Sequence, residues 1–90
     1  MEFVETLEIT HKTGLHARPS TEFVRLAQQF RADVRVSTPD GPEVDGKSII
    51  AVLGLGVAPG ASIVVKVSGA DAEIAMAALV DLVRSDFGAK

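Results

Sequence analysis

The apolar residues of this 90-residue chain switch between strict alternation and helical spacing several times. That succession of periods restricts the available folds more than any single residue does. From Phe3 to Thr10, Phe3, Leu7 and Ile9 share one face while Val4, Thr6, Glu8 and Thr10 share the other, the pattern of a half-buried strand. Residues 17–30 then change period. Phe23, Val24, Leu26, Ala27 and Phe30 fall on one side of a helix and Arg18, Glu22, Arg25 and Gln29 on the opposite side. Val34 and Val36 alternate with Asp33 and Arg35 in a second strand, closed by TPDGP, whose prolines and glycine supply turn geometry and remove ladder donors.

A short third strand, Glu43–Lys47, is expected to return as a hairpin. Ser48 is a good N-cap for IIAVLGLG, and Gly54 and Gly56 limit that helix to about two turns. Ile63, Val65 and Val67 alternate with Val64, Lys66 and Ser68 in the last strand. Asp71 then opens a helix whose core stripe is Ala72, Ala75, Met76, Leu79, Leu82 and Val83, with Asp81, Arg84 and Ser85 outside. The order is β-α-β-β-α-β-α. Strands with one polar face imply an antiparallel sheet covered by helices on one side only, a two-layer α+β arrangement.

The length sets one domain over 1–90, too short for two independently stable cores, and no repeat, low-complexity run or linker interrupts it. An apolar fraction of 47% against 23% charged residues is that of a chain that folds alone. The absence of cysteine removes a disulfide framework, a thiolate metal site and a cysteine nucleophile, and fits a cytoplasmic location. MEFVETLEIT carries acids where a signal peptide carries bases, and the apolar runs are too short to span a bilayer, so neither export nor membrane insertion is expected. A net charge of -3 and only four aromatics, all Phe, remove the electrostatic and stacking arguments for a nucleic-acid binder.

Chemistry concentrates in TGLHARPST, residues 13–21. Gly14 can release the chain from the first strand at positive φ, which puts His16 near the N-cap of the first helix. The first amides of a helix lack intrahelical acceptors and carry the positive end of its dipole, so an anion is favoured there. Pro19 is tolerated because it falls in that first turn, which leaves Ala17 and Arg18 as the nearest amide donors. The same positive end favours a neutral, nucleophilic imidazole. Arg18 can bind two oxygens of a phosphoryl group at once, and Arg25 adds a second positive charge or meets an acidic partner. Together these residues describe a histidine that accepts and releases phosphate. The residues alone also allow the plainer alternative, that His16 is an ordinary polar cap. His11, at a strand end beside Lys12, is expected at the surface. Two histidines without carboxylate or thiolate ligands make a poor metal site, so no metal or cofactor is expected.

Residues 41–48, GPEVDGKS, match the P-loop pattern G-x-x-x-x-G-K-[ST] letter for letter. A P-loop cradles phosphates with successive amides, yet Pro42 has none to give and Glu43 and Asp45 would add negative charge beside them. The expected alternation of a parallel sheet is missing too. A hairpin strand running into a capped helix accounts for the same residues. Ser48 at that cap could accept a phosphate without melting the helix. Ile49, Ile50 and Leu53 lie on a short helix apolar on nearly every side, so some of them should remain exposed as a docking patch.

These segments resemble the HPr phosphocarrier family of the bacterial phosphoenolpyruvate-dependent sugar phosphotransferase system. GLHARPS looks like its active-site signature and GKSIIAVLGLG like its second signature, around a regulatory serine. The resemblance runs essentially end to end. It implies an open-faced β-sandwich with a four-stranded antiparallel sheet and three helices on one face. It implies that His16, through Nδ1, receives phosphate from phospho-enzyme I and passes it to enzyme IIA domains, with Arg18 assisting, by a carrier rather than an enzyme. It also implies that Ser48 matches the serine modified by an ATP-dependent HPr kinase/phosphorylase, and that Arg25, Ile49, Ile50 and Leu53 lie on the docking face. A paralogous regulatory carrier, of a nitrogen-related branch or a serine-phosphorylated co-regulator, is the alternative. No membrane or nucleic-acid partner is implied, and a monomer is the default. Ser20 stands where the family usually has alanine and is expected to add a cap or solvent contact. Gln28 stands where lysine is common, and the STPDGPEV hairpin looks slightly long.

Overall fold

The computed structural model describes residues 1–88. Four strands, β1 (Glu2–Glu8), β2 (Asp33–Ser37), β3 (Val44–Asp45) and β4 (Ser62–Ser68), alternate with α1 (Ala17–Ala27), α2 (Ile49–Leu53) and α3 (Ala72–Arg84), and a 3-10 turn at Asp86–Gly88 follows. The strands form one sheet in the order β1-β4-β2-β3, with each pair antiparallel. The fold is the α+β open-faced sandwich expected from the sequence.

Alternation decides which face of the sheet is covered. The register pairs Leu7 with Ile63, Val34 with Val67 and Val36 with Val65, so these side chains form contiguous apolar rows on one face. All six are buried, with Phe23, Val24 and Ala27 of α1, Val52 of α2 and Ala72, Ala75, Met76, Leu79 and Val83 of α3 packed over them. Burying one large side chain of this kind stabilises the fold by about 1.5–3 kcal/mol. The opposite face carries Lys66, paired with Glu43 at 2.6 Å, and Arg35, paired with Asp33 at 3.0 Å.

Several boundaries differ from the sequence reading, each for a visible reason. Helix α1 stops at Ala27 instead of residue 30, because Gln29 and Phe30 donate to the carbonyls three residues back, Leu26 and Ala27, and tighten the last turn. Strand β3 is two residues long where Glu43–Lys47 is expected, since only Arg35 with Asp45 and Val36 with Val44 pair before the chain turns away. At that turn the Gly46 amide donates to the Val34 carbonyl, and a Cβ there would sit 2.6 Å from the Val34 side chain. Leu82 is only half buried, at the margin of the α3 stripe. Asp71 does precede α3, but its side chain does not cap that helix. Its carboxylate accepts instead from the amides of Arg31 and Ala32, at 3.0 and 2.8 Å, and so ties the loop before β2 to the start of α3.

His11 corrects the surface expectation. It is only 8% exposed. Its Nδ1 accepts from the Thr13 amide at 3.2 Å and lies 3.0 Å from the Thr13 hydroxyl, and its ring meets Phe87 edge-on with centroids 6.1 Å apart. Phe87 is itself buried in the 3-10 turn and packs on the ring, while the Thr13 contacts at Nδ1 meet a polar atom that would otherwise make burial costly.

Candidate functional site

The approach to His16 is anchored before the helix begins. The Ile9 amide donates to Ala61 and the Gly60 amide to the Ile9 carbonyl, so the end of β1 is held against the segment leading into β4. The Gly14 amide then closes a turn on the His11 carbonyl, and the Leu15 amide donates to Val57 at 3.0 Å. Gly14 sits at φ +67, and a Cβ there would lie 2.3 Å from the Val57 carbonyl oxygen; both facts require glycine. Leu15 is fully buried and fixes the depth at which the next residue emerges.

That next residue is His16, half buried and at the N-cap of α1 with extended backbone, and its side chain makes no capping hydrogen bond. Among the described residues no hydrogen bond engages the amides of Ala17 and Arg18. The first turn of α1 holds no acidic residue, so nothing there opposes an incoming anion. Ala17 takes φ +49, a left-handed conformation that costs a residue with a Cβ about 1–2 kcal/mol. Its carbonyl accepts from two hydroxyls, Ser20 Oγ at 2.8 Å and Thr21 Oγ1 at 3.2 Å. Ser20 is fully buried, so its hydroxyl is an internal tether and not a solvent contact. Pro19 lies in the first turn, as expected.

The two arginines have different surroundings. Arg18 is exposed, and its guanidinium donates to the Phe87 carbonyl at 3.2 Å. Arg25, in the last turn of α1, lines a groove with Thr21, Val24, Gln28 and, from α2, Ile49. On α2 only Val52 is buried; Ile50 is 80% exposed, with Ile49 and Leu53 less so. The apolar patch expected there is present, and the groove joins it to Arg25. Gln28 donates to the Lys47 carbonyl at 3.0 Å, which makes it a strut between α1 and the approach to α2.

Ser48 caps α2 as expected, its side chain accepting from the Ala51 amide at 3.3 Å. The surrounding GPEVDGKS segment is arranged against phosphate. The Gly46, Lys47 and Ser48 amides are spent on Val34, Asp45 Oδ1 and the Asp45 carbonyl. The Lys47 ammonium donates to the Phe30 carbonyl at 2.6 Å. A P-loop needs those amides and that lysine free.

Three features escaped the sequence reading: the positive φ at Ala17, the hydroxyl pair on its carbonyl, and the Arg18 contact with Phe87. The second had a signal, since hydroxyl residues three and four places after the first helical residue commonly bond back to its carbonyl. The third had none, because it joins residues 69 apart.

Comparison with known proteins follows the geometry closely. The family model described as "PTS HPr component phosphorylation site" matches residues 3–85. The phosphocarrier protein HPr of Neisseria meningitidis is 43% identical over 84 residues, 93% of each chain. The phosphocarrier protein NPr of Escherichia coli is 40% identical over 87 residues, 97% of each chain. A crystal structure of HPr from Thermoanaerobacter tengcongensis superposes with a TM-score of 0.93 at 42% identity and covers 98% of both chains. Fold and likeness together define the class, a phosphocarrier built on an open-faced sandwich. The chain belongs to the HPr family of the phosphotransferase system.

Proposed function

We propose that His16 is the phosphoryl acceptor of this chain, loaded by phospho-enzyme I and unloaded onto enzyme IIA domains. The observation that carries this reading is His16 at the N-cap of α1, beside two first-turn amides that no other group engages among the described residues. In the loading step Nδ1 forms a bond to phosphorus as the donor's bond to phosphorus breaks in line. The amides of Ala17 and Arg18 receive the phosphoryl oxygens, and the Arg18 guanidinium leaves the Phe87 carbonyl to neutralise their charge. Unloading reverses the sequence on a second partner. Because the partners supply most of the catalytic machinery, the chain is a cytoplasmic carrier and not an enzyme with its own substrate.

Docking falls to Ile49, Ile50 and Leu53, with Arg25 at the edge of the same groove to meet acidic partners. Ser48 lies among these residues. Phosphorylation there by an HPr kinase/phosphorylase would put charge in the middle of the patch, which makes Ser48 a regulatory site. The likeness to NPr favours a second reading, a paralogous regulatory carrier of a nitrogen-related branch. Transfer from the phosphorylated chain to IIA domains of sugar permeases separates the two, since a carrier of the sugar system delivers phosphate to them and a purely regulatory one does not.

The primary test is incubation with phosphoenolpyruvate and enzyme I, followed by measurement of acid-labile phosphate. Wild type should be labelled and His16→Ala should not. Equal labelling of both proteins contradicts the assignment.

A further inference from the structure

The hydroxyls of Ser20 and Thr21 converge on one acceptor, the Ala17 carbonyl. Hydroxyls inside helices often bond back in this way with no consequence beyond a slight bend. Here the acceptor belongs to the first residue of the helix, held at φ +49, and the peptide it shares is Ala17–Arg18. Among the described residues no peptide bond is cis, so the N–H of that unit points opposite to its C=O. Hydroxyls that hold the carbonyl down the helix therefore aim the Arg18 amide out of the N-terminus, towards the side where His16 stands. Hydrogen bonds accepted by a carbonyl also polarise the N–H of the same peptide and strengthen it as a donor.

We infer that Ser20 and Thr21 are positioning residues for phosphoryl transfer, fixing and polarising the Ala17–Arg18 peptide so that its amide meets the phosphate on His16. This rests on His16 as the acceptor. Burial supports it: the Ser20 hydroxyl is wholly removed from water, so its bond to Ala17 does not compete with solvent. The Ala17 amide supplies an internal contrast, because it belongs to the His16–Ala17 peptide, whose carbonyl neither hydroxyl touches.

The test loads His16 with phosphoramidate, a small donor that needs no partner protein. The imidazole nitrogen bonds to phosphorus, the P–N bond breaks and ammonia leaves. Wild type, Ser20→Ala, Thr21→Val, the double variant and Thr21→Ser are compared by amide NMR and by the half-life of the phosphohistidine. In wild type the Arg18 amide should move downfield on phosphorylation. The double variant should lose most of that movement while the Ala17 amide keeps its own, and its phosphohistidine should hydrolyse about three- to tenfold faster. Thr21→Ser should behave as wild type. An unaltered Arg18 shift and half-life in the double variant overturn the inference, and equal losses at Ala17 and Arg18 reduce the effect to general loosening of the helix start, which also overturns it. Ser20→Ala removes one hydroxyl from a buried helical position without adding bulk, which keeps the helix intact for the comparison. Because loading is chemical, failure of enzyme I to label the wild type would count against the carrier reading alone.

Discussion

Ala17 shows what a single residue contributes to this site and why it could not be read beforehand. Nothing in HARPST marks the alanine for a left-handed backbone. The conformation follows from fitting His16, fixed in depth by buried Leu15, onto a helix whose third residue is proline. Replacing it should separate strain from propensity. An Ala→Gly change inside an ordinary helix costs about 0.5–1 kcal/mol. At φ +49 the relief of about 1–2 kcal/mol outweighs that cost. Ala17→Gly should therefore be as stable as wild type or up to about 1 kcal/mol more stable in urea unfolding. A loss of about 1 kcal/mol would mean that Ala17 carries no strain. His11 teaches the converse lesson. A polar residue beside lysine at a strand end reads as exposed, and its contact with the distant Phe87, which packs against the ring from the 3-10 turn, has no local signal in the sequence.

Whole elements were more legible than their ends. The alternation of Ile63, Val65 and Val67 and the stripe from Ala72 to Val83 identify β4 and α3, because each pattern admits one way of hiding its apolar face. The Ser48 cap was equally plain, since its partner amide lies three residues away. The shortened ends of α1 and β3 were not, as both depend on contacts between segments. Asp71 is the clearest case: sequence position suggests a cap for α3, while the carboxylate serves the loop before β2. The Arg31 amide foremost, then that of Ala32 and the charge of Lys47, hold its carboxyl below the ordinary carboxylate range against an opposing effect of burial. With the folded value below the unfolded one, the stabilisation is complete above the ordinary value of about 4 and disappears as pH falls through the folded value. Asp71→Asn should thus be less stable than wild type at neutral pH, with the gap closing in acid. Parallel stability curves for the two proteins down to low pH would show that this carboxylate contributes nothing through its charge.

Across the molecule, one face of the sheet is roofed by helices, and the residues proposed for function lie along α1 and at the start of α2, with His16 at the first end of α1 and the groove shared by Arg25 and Ile49 towards the other. His16 and Ser48 are both N-caps, and Arg25 shares a groove with Ile49. The GLHARPS and GKSIIAVLGLG segments single out His16 and Ser48 as N-caps in the sequence, while the turn of Arg18 towards Phe87 required the assembled fold. If α2 is the docking surface, altering its exposed face should change transfer and leave folding alone. Ile50→Ser should stay within about 0.5 kcal/mol of wild-type stability. Ile50→Ser and Ser48→Asp should each slow loading from phospho-enzyme I about three- to tenfold, by removing an apolar contact or by placing charge in the patch. Wild-type loading rates in both variants would move the docking surface elsewhere. The central claim is that phosphate passes through this chain, and a relay measures it most directly. The chain is labelled by phosphoenolpyruvate and enzyme I, freed of both, and mixed with a IIA domain. The account predicts acid-labile phosphate on His16 that leaves the chain and appears on the IIA domain in equal amount. Label that forms on His16 but never moves to the acceptor would contradict it.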